Sequence, residues 1–299
     1  MQVINRTKGT RFIRWVACAG AGLLVALDAS SVVRGQSQGQ ALGAGQSVIR
    51  DTDDGVKYAR GQNVVPVYEG WVENPDGTFS LVFGYFNRNW EEDVFVPVGP
   101  DNHFDPGGPD RGQPTYFAPR RGKSLFEIVV PKDFGTKEVI WTLTSRGKTE
   151  KAYGALVAQE ALSRRMVITG GSLNAAAAAG NDDNGDERDP NKPPTVTIAP
   201  AQPVSMPGPV TLTASVTDDG LPKPTASRNG GRGLRADWSL YRGPARVAFT
   251  PPGGQPLPPT GGMATTTALF KAPGTYVLRA TATDGGGMAI HSDVTVSVK

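Results

Sequence analysis

The sequence predicts an all-β protein: two antiparallel β-sandwiches joined by a flexible acidic and proline-rich linker, behind an N-terminal export signal. Three observations carry this reading. Apolar and polar residues alternate at period two through much of the chain after residue 48, the pattern of half-buried strands. Asn74-Pro75-Asp76-Gly77 and Arg146-Gly147-Lys148 stand between such runs, where hairpin turns belong. The segment 174–194, NAAAAAGNDDNGDERDPNKPP, has no apolar period and divides the pattern in two.

The first 35 residues have the layout of a signal peptide. Arg6, Lys8, Arg11 and Arg14 form a positive start, Trp15 to Leu27 is apolar or small, and small or polar residues follow. The apolar run is short for a membrane span, although an uncleaved N-terminal anchor is the alternative. A cut fits near Gly35–Gln36, with Ala29 to Ser31 as a second place. Cys18 lies inside the apolar run, which argues against lipoprotein processing there. The expected compartment is therefore the periplasm or the exterior.

Removing this segment changes the chain's electrostatics. It holds five of the 31 Lys and Arg and one of the 28 Asp and Glu, leaving 26 against 27, a net charge of about −1. The basic character of the whole chain thus belongs largely to the export signal, and nucleic-acid binding loses its electrostatic support. The single Cys leaves with it, so the sandwiches must stand on hydrophobic cores alone. Residues 36–47, polar and glycine-rich, read as a disordered leader.

Residues 48–170 are expected to form the first sandwich. Val64–Val72 and Thr78–Phe86 pair across Asn74-Pro75-Asp76-Gly77, with Phe79, Leu81, Phe83 and Tyr85 on one face and Ser80, Val82 and Gly84 on the other. Leu125–Val130 is a further strand. Glu138–Ser145 and Thr149–Leu156 form a second hairpin, with Trp141 and Leu143 in the core. Between the hairpins, Val98 to Lys123 reads as a long irregular loop, and Ala155–Met166 as a short helix entering the linker at 171–194.

The second sandwich is expected over 195–299. Val210, Leu212, Ala214 and Val216 alternate with hydroxyl residues. Ala236, Trp238 and Leu240 do the same, as do Tyr276, Leu278, Ala280 and Ala282, and Asp293–Val298 closes the set. Val216-Thr217-Asp218-Asp219-Gly220-Leu221-Pro222, Asp237-Trp238-Ser239, Ala272-Pro273-Gly274-Thr275-Tyr276-Val277-Leu278 and Ala282-Thr283-Asp284-Gly285 resemble the bacterial polycystic-kidney-disease-type and related immunoglobulin-like repeats. The resemblance covers about a third of the chain and implies a fold more than a function. It implies that Trp238 sits in the core and that Tyr276 is a tyrosine corner, its hydroxyl tied to upstream backbone. Lys223–Gly233 and Pro251–Gly262 depart from the repeat and read as mobile loops. The first domain resembles no characterised family.

Candidate sites are few. His103 and His291 fall in different domains, and no Gly-x-Ser-x-Gly elbow, His-Glu-x-x-His helix or glycine-rich phosphate loop is present, so a non-catalytic protein is expected. Glu91 and Glu92 are adjacent, which on a strand sends them to opposite faces. Asp182, Asn184 and Asp186 alternate like the start of a calcium loop. However, Gly185 precedes the third ligand and Pro193 stands where the final Glu belongs, so a solvated linker is the favoured reading and calcium the alternative. Asp218, Asp219, Asp284 and Asp293 could also gather at one end of the second sandwich.

The expected ligand surface is in the first domain: Trp90, Arg111, Tyr116, Arg120 and Arg121, aromatic and cationic groups that suit sugar rings, peptides or acidic groups. The competing reading packs these aromatics onto their own domain and pairs the arginines with nearby Asp. An exported binding or adhesion protein follows, meeting a protein or glycan partner. A glycan-active protein and a subunit of an envelope assembly are the alternatives.

Overall fold

The computed structural model describes residues 48–50, 56–170, 190–201, 203–206, 208–223 and 233–299. The segments expected to be an export signal and a leader, the trio Asp182, Asn184 and Asp186, and the interior of the Lys223–Gly233 insert lie outside them. No helix among the described residues is long and apolar enough to cross a membrane.

After a two-stranded ribbon, β1 (Val48–Arg50) with β2 (Val56–Tyr58), the first sandwich is built from β3 (Val64–Glu73), β4 (Phe79–Asn87), β5 (Val94–Phe95), β6 (Asn102–Asp105), β7 (Tyr116–Phe117), β8 (Arg120–Val130), β9 (Val139–Ser145) and β10 (Lys148–Gly154). One sheet runs β3-β4-β8, the other β10-β9-β6, and β5 pairs with β7. Both expected hairpins form. Arg146 and Gly147 each take positive φ, 52° and 72°, the primed turn whose twist matches two antiparallel strands. The stretch expected to be irregular between Val98 and Lys123 instead contains β6, β7 and the start of β8. Their short length hides any alternation.

Aromatic rings fill the space between the sheets. Trp141 is fully buried among Phe83, Phe104, Phe117 and Phe126, with ring centroids 5.2 to 6.4 Å from its own. The opposite face of β4, that of Ser80 and Val82, is also covered. Val82 packs with Val72, Val167 and Leu162, because the chain after β10 folds back over it. That returning chain is a 3-10 turn, Ala158–Glu160, then α1 (Arg164–Ile168), rather than one helix from Ala155. It covers the open edge of β3: Tyr68 and Trp71 donate to the carbonyls of Ala155 and Val157, and Leu162 N–H donates to Trp71 O. Gly70 permits this crossing. Its φ is +136°, and a Cβ there would lie 2.3 Å from Glu160 O.

The second sandwich has β11 (Thr195–Ile198), β12 (Pro209–Thr217), β13 (Arg235–Arg242), β14 (Val247–Thr250), β15 (Gln255–Pro256), β16 (Gly261–Phe270), β17 (Gly274–Thr283) and β18 (Ala289–Val298). Its sheets are β11-β12-β16-β14 and β15-β13-β17-β18, the two-sheet order of an immunoglobulin-like domain with a short strand added beside β13. Between β11 and β12 the chain switches sheets and runs parallel to β18. There Val204 N–H donates to Ser297 O and Met206 N–H to Lys299 O. Trp238 is buried and donates to Ala264 O at 3.3 Å. Tyr276 is fully buried and its hydroxyl donates to Ala272 O at 2.7 Å.

The two cores remain separate, but the sandwiches meet directly. Arg242 forks onto Asp110 (2.7 and 3.1 Å) and donates through Nε to Gln113 O. Tyr241 donates to Gly112 O, Gly243 N–H to Thr115 Oγ1, and Arg279 to Leu125 O at 2.6 Å. Arg246 pairs with Asp93, and Phe95 and Tyr116 pack against the second core.

Candidate recognition site

The meeting of the sandwiches redistributes the five expected ligand residues. Tyr116 turns its ring onto the second sandwich, where burial and the Asp93 carboxylate raise its pKa. Its loop is therefore a joint. The buried Gln113 shapes that loop, donating to Asn102 O and Pro109 O and accepting from Arg111 N–H, so that Asp110, Gly112 and Gln113 face the other domain. Arg111 reaches Pro106 O. Arg121 turns away and meets Glu69 with both carboxylate oxygens at 2.8 Å.

Trp90 and Arg120 come together. The Arg120 guanidinium lies 4.1 Å from the Trp90 ring centroid, and the Lys57 ammonium lies 4.3 Å from the same centroid. Two cations thus lie over the Trp90 ring. Arg120 also lies 4.8 Å from the Phe86 centroid. The result is a cluster of two aromatic rings and two cations: Phe86, Trp90, Arg120 and Lys57.

Beneath it is a network that the sequence reading did not single out. Asn63, Asn87 and Asn89 are buried. Asn87 donates to Glu92 O and Phe117 O, and its carbonyl accepts from Asn89. Asn89 also exchanges hydrogen bonds with the backbone of Gln62 in both directions, at 2.7 and 2.8 Å. Trp90 N–H donates to Tyr58 O and Glu91 N–H to Ala59 O. Buried amides satisfied on several sides fix a loop in one conformation. Trp90 nonetheless remains 38% exposed at the top of it.

Glu91 and Glu92 are not brought into partnership. Glu92 accepts from Gly61 N–H and pairs with Arg146, while Glu91 is exposed. An open recess of about 430 Å³ lies nearby, lined by Asp93, Val94, Phe95, Asp101, Thr144 and Arg146. Its Asp93 and Arg146 are already engaged with Arg246 and Glu92.

At the end of the second sandwich, Asp284 accepts from Asn191 and from Met288 N–H, and Asp219 accepts from Lys192 N–H. The last residues of the stretch expected to be linker are therefore held on this domain. Asp293 does not join them, because Arg279 claims it with two bonds. Among the described residues no group of three or more His, Cys, Asp or Glu side chains is disposed to hold a metal ion.

Burial raises the Asp218 and Asp284 carboxyls above the usual 3.8, and Asp219 and Asp284 raise Asp218 further. A raised folded-state value means the native protein binds these protons more tightly than the unfolded chain does. The resulting stability is present in full below the ordinary value and is lost as pH rises through the folded values. One Asp218 oxygen is buried without a hydrogen-bond donor, while the other accepts from Gly220 N–H, a bond asparagine can keep. Asp218→Asn should therefore raise the melting temperature at pH 7 and change it little at pH 4. A variant less stable than the parent at pH 7 would refute this.

No protein-family model and no curated protein matches the chain. Among solved structures, the PKD domain from KIAA 1837 protein is similar, with 19% identity over 35% of this chain and 84% of that one (TM-score 0.21). A PKD domain of an M14-like peptidase from a Thermoplasmatales archaeon has 18% identity over 37% and 96% (TM-score 0.20). The fibronectin(III)-like modules of CbhA from Clostridium thermocellum have 12% identity over 79% and 94% (TM-score 0.23).

Proposed function

We propose that the chain is an exported, non-catalytic recognition or adhesion protein of the cell envelope. It meets its partner at the Trp90 end of the first sandwich, and the second sandwich is its docked support. The observation that carries this is the buried Asn87–Asn89 pair, bonded to Glu92 O, Phe117 O and the Gln62 backbone, on the loop that carries the exposed Trp90. The two buried amides order the loop, yet the indole that the loop carries is left exposed. The protein thereby gains a preorganised contact, since a ring on an already ordered loop loses less entropy on binding. The export signal and the unmatched catalytic motifs point the same way.

Trp90→Ala tests this. Binding to glycan arrays and to native envelope fragments should fall at least tenfold, with the melting temperature within about 2 °C of the parent. Unchanged binding would remove Trp90 from the function. A second reading, an envelope-assembly subunit, is favoured by β8, which pairs only with β4 and leaves Val129 exposed. That reading predicts that Trp90→Ala keeps its hold on the envelope.

A further inference from the structure

We infer that the Trp90 site is a receptor for a carboxylate carried on a sugar ring, an acidic polysaccharide rather than a neutral one, with Arg120 as the group that grips it. The inference rests on the reading of Trp90 as the recognition end and adds the ligand's chemistry.

What distinguishes Arg120 is that it lies over two aromatic rings without a carboxylate partner; Arg60, Arg88, Arg111 and Arg235 also meet no carboxylate among the described residues, but none of them lies over a ring. Arg121, Arg146, Arg164, Arg242, Arg246 and Arg279 each meet a carboxylate. Among the described residues Arg120 meets none. It lies over two aromatic rings and donates to one carbonyl, Arg88 O, at 3.4 Å. A guanidinium laid over a ring keeps its N–H edge clear of the ring face. That edge carries five donors, and one long bond uses only one of them. What remains is the planar fork that carboxylates accept in pairs, held by the rings instead of by a counter-charge.

The backbone adds a second, independent sign. Arg120 has φ of +71°, a left-handed conformation that strains a non-glycine residue. The register makes the purpose geometric. Arg120 opens β8 opposite Asn87, the centre of the asparagine network, and the left-handed turn there delivers the side chain to Phe86 and Trp90.

The cluster also argues against a neutral sugar. Neutral rings bind aromatic platforms by laying C–H groups on an open face, and two cations already compete for the Trp90 ring. The exposed part of the indole offers a narrow apolar strip beside the fork. A carboxylate with a sugar ring's C–H edge next to it matches that pair. The nearby negative charge of Glu92 is already committed to Arg146 and Gly61.

The test uses the full chain against polygalacturonate and alginate, each compared with its methyl-esterified, neutral form. Binding should occur to the acids, fall at least tenfold on esterification, and weaken as salt rises. Arg120→Lys, which keeps the charge and loses the fork, should weaken it at least tenfold, and Arg120→Ala further, with melting temperatures close to the parent's. Equal binding of acid and ester, or an Arg120→Lys variant as good as the parent, overturns the inference. So does stronger Arg120-dependent binding to carboxylate-terminated peptides, or binding to a sulfated polysaccharide that ignores Arg120. If neither acid binds but Trp90→Ala still loses the envelope, only the ligand class falls. If Trp90→Ala also keeps the envelope, both readings fall.

Discussion

Trp141→Ala should unfold most of the first sandwich's margin, costing about 3–5 kcal/mol, as expected for a large buried aromatic. The ring is fully buried and is in contact distance of four phenylalanines, so its removal leaves a cavity that rigid neighbours cannot collapse into. A second loss accompanies it. The indole N–H donates to Asn102 Oδ1 at 2.9 Å, and Asn102 is fully buried, with its amide committed to Val96 O and Pro114 O. Without the indole, that oxygen is left unsatisfied, worth roughly another 1–3 kcal/mol. A domain whose whole margin is about 5–15 kcal/mol would be near its threshold. Urea unfolding followed by near-ultraviolet dichroism measures this. Trp141→Phe separates the two losses, since it restores most volume but no donor. A midpoint for Trp141→Ala equal to the parent's would mean the aromatic cluster is not the core.

Arg279→Ala should loosen the joint between the sandwiches and cost about 3 kcal/mol, the lower end for breaking a buried pair from one side. Arg279 is buried and does three jobs. It forks onto Asp293 at 2.8 and 2.9 Å, donates across the joint to Leu125 O, and lies 3.9 Å from the Tyr241 ring centroid. Asp293 is partly exposed and can turn to water, which holds the cost at the lower end. Combined with Arg242→Ala, which removes the fork to Asp110, the substitution should split one calorimetric transition into two, as each sandwich then melts alone. A single transition at the parent's temperature in the double variant would show that Phe95 and Tyr116 suffice to hold the joint.

The hairpins were legible in the sequence because turn chemistry and alternation agree there. β16 was not. Met263 and Leu269 point outward while Ala264, Thr266 and Ala268 point inward, so polarity runs against the pleat; no strand is expected there, and the loop expected over Pro251–Gly262 overlaps only its first two residues. The joint was illegible for a different reason. Arg242, Tyr241 and Arg279 bind carbonyls of Gln113, Gly112 and Leu125, and a backbone oxygen carries no mark of its residue type. Of the recognition site, Trp90 and Arg120 were both visible as residue types, but 30 positions of chain concealed their contact. The asparagines carried a readable signal. Asn is depleted in strands, and Asn87 and Asn89 flank the end of one, so a bonded role was the natural expectation.

The parallel contact between residues 204–206 and β18 has a mechanical meaning. Neighbouring parallel segments drawn from opposite chain directions slide along each other, so tension on the second sandwich loads the bonds from Val204, Met206 and Lys299 side by side. Such bonds must rupture together, whereas a peeled hairpin opens one rung at a time. A domain fastened this way resists being pulled apart along that seam.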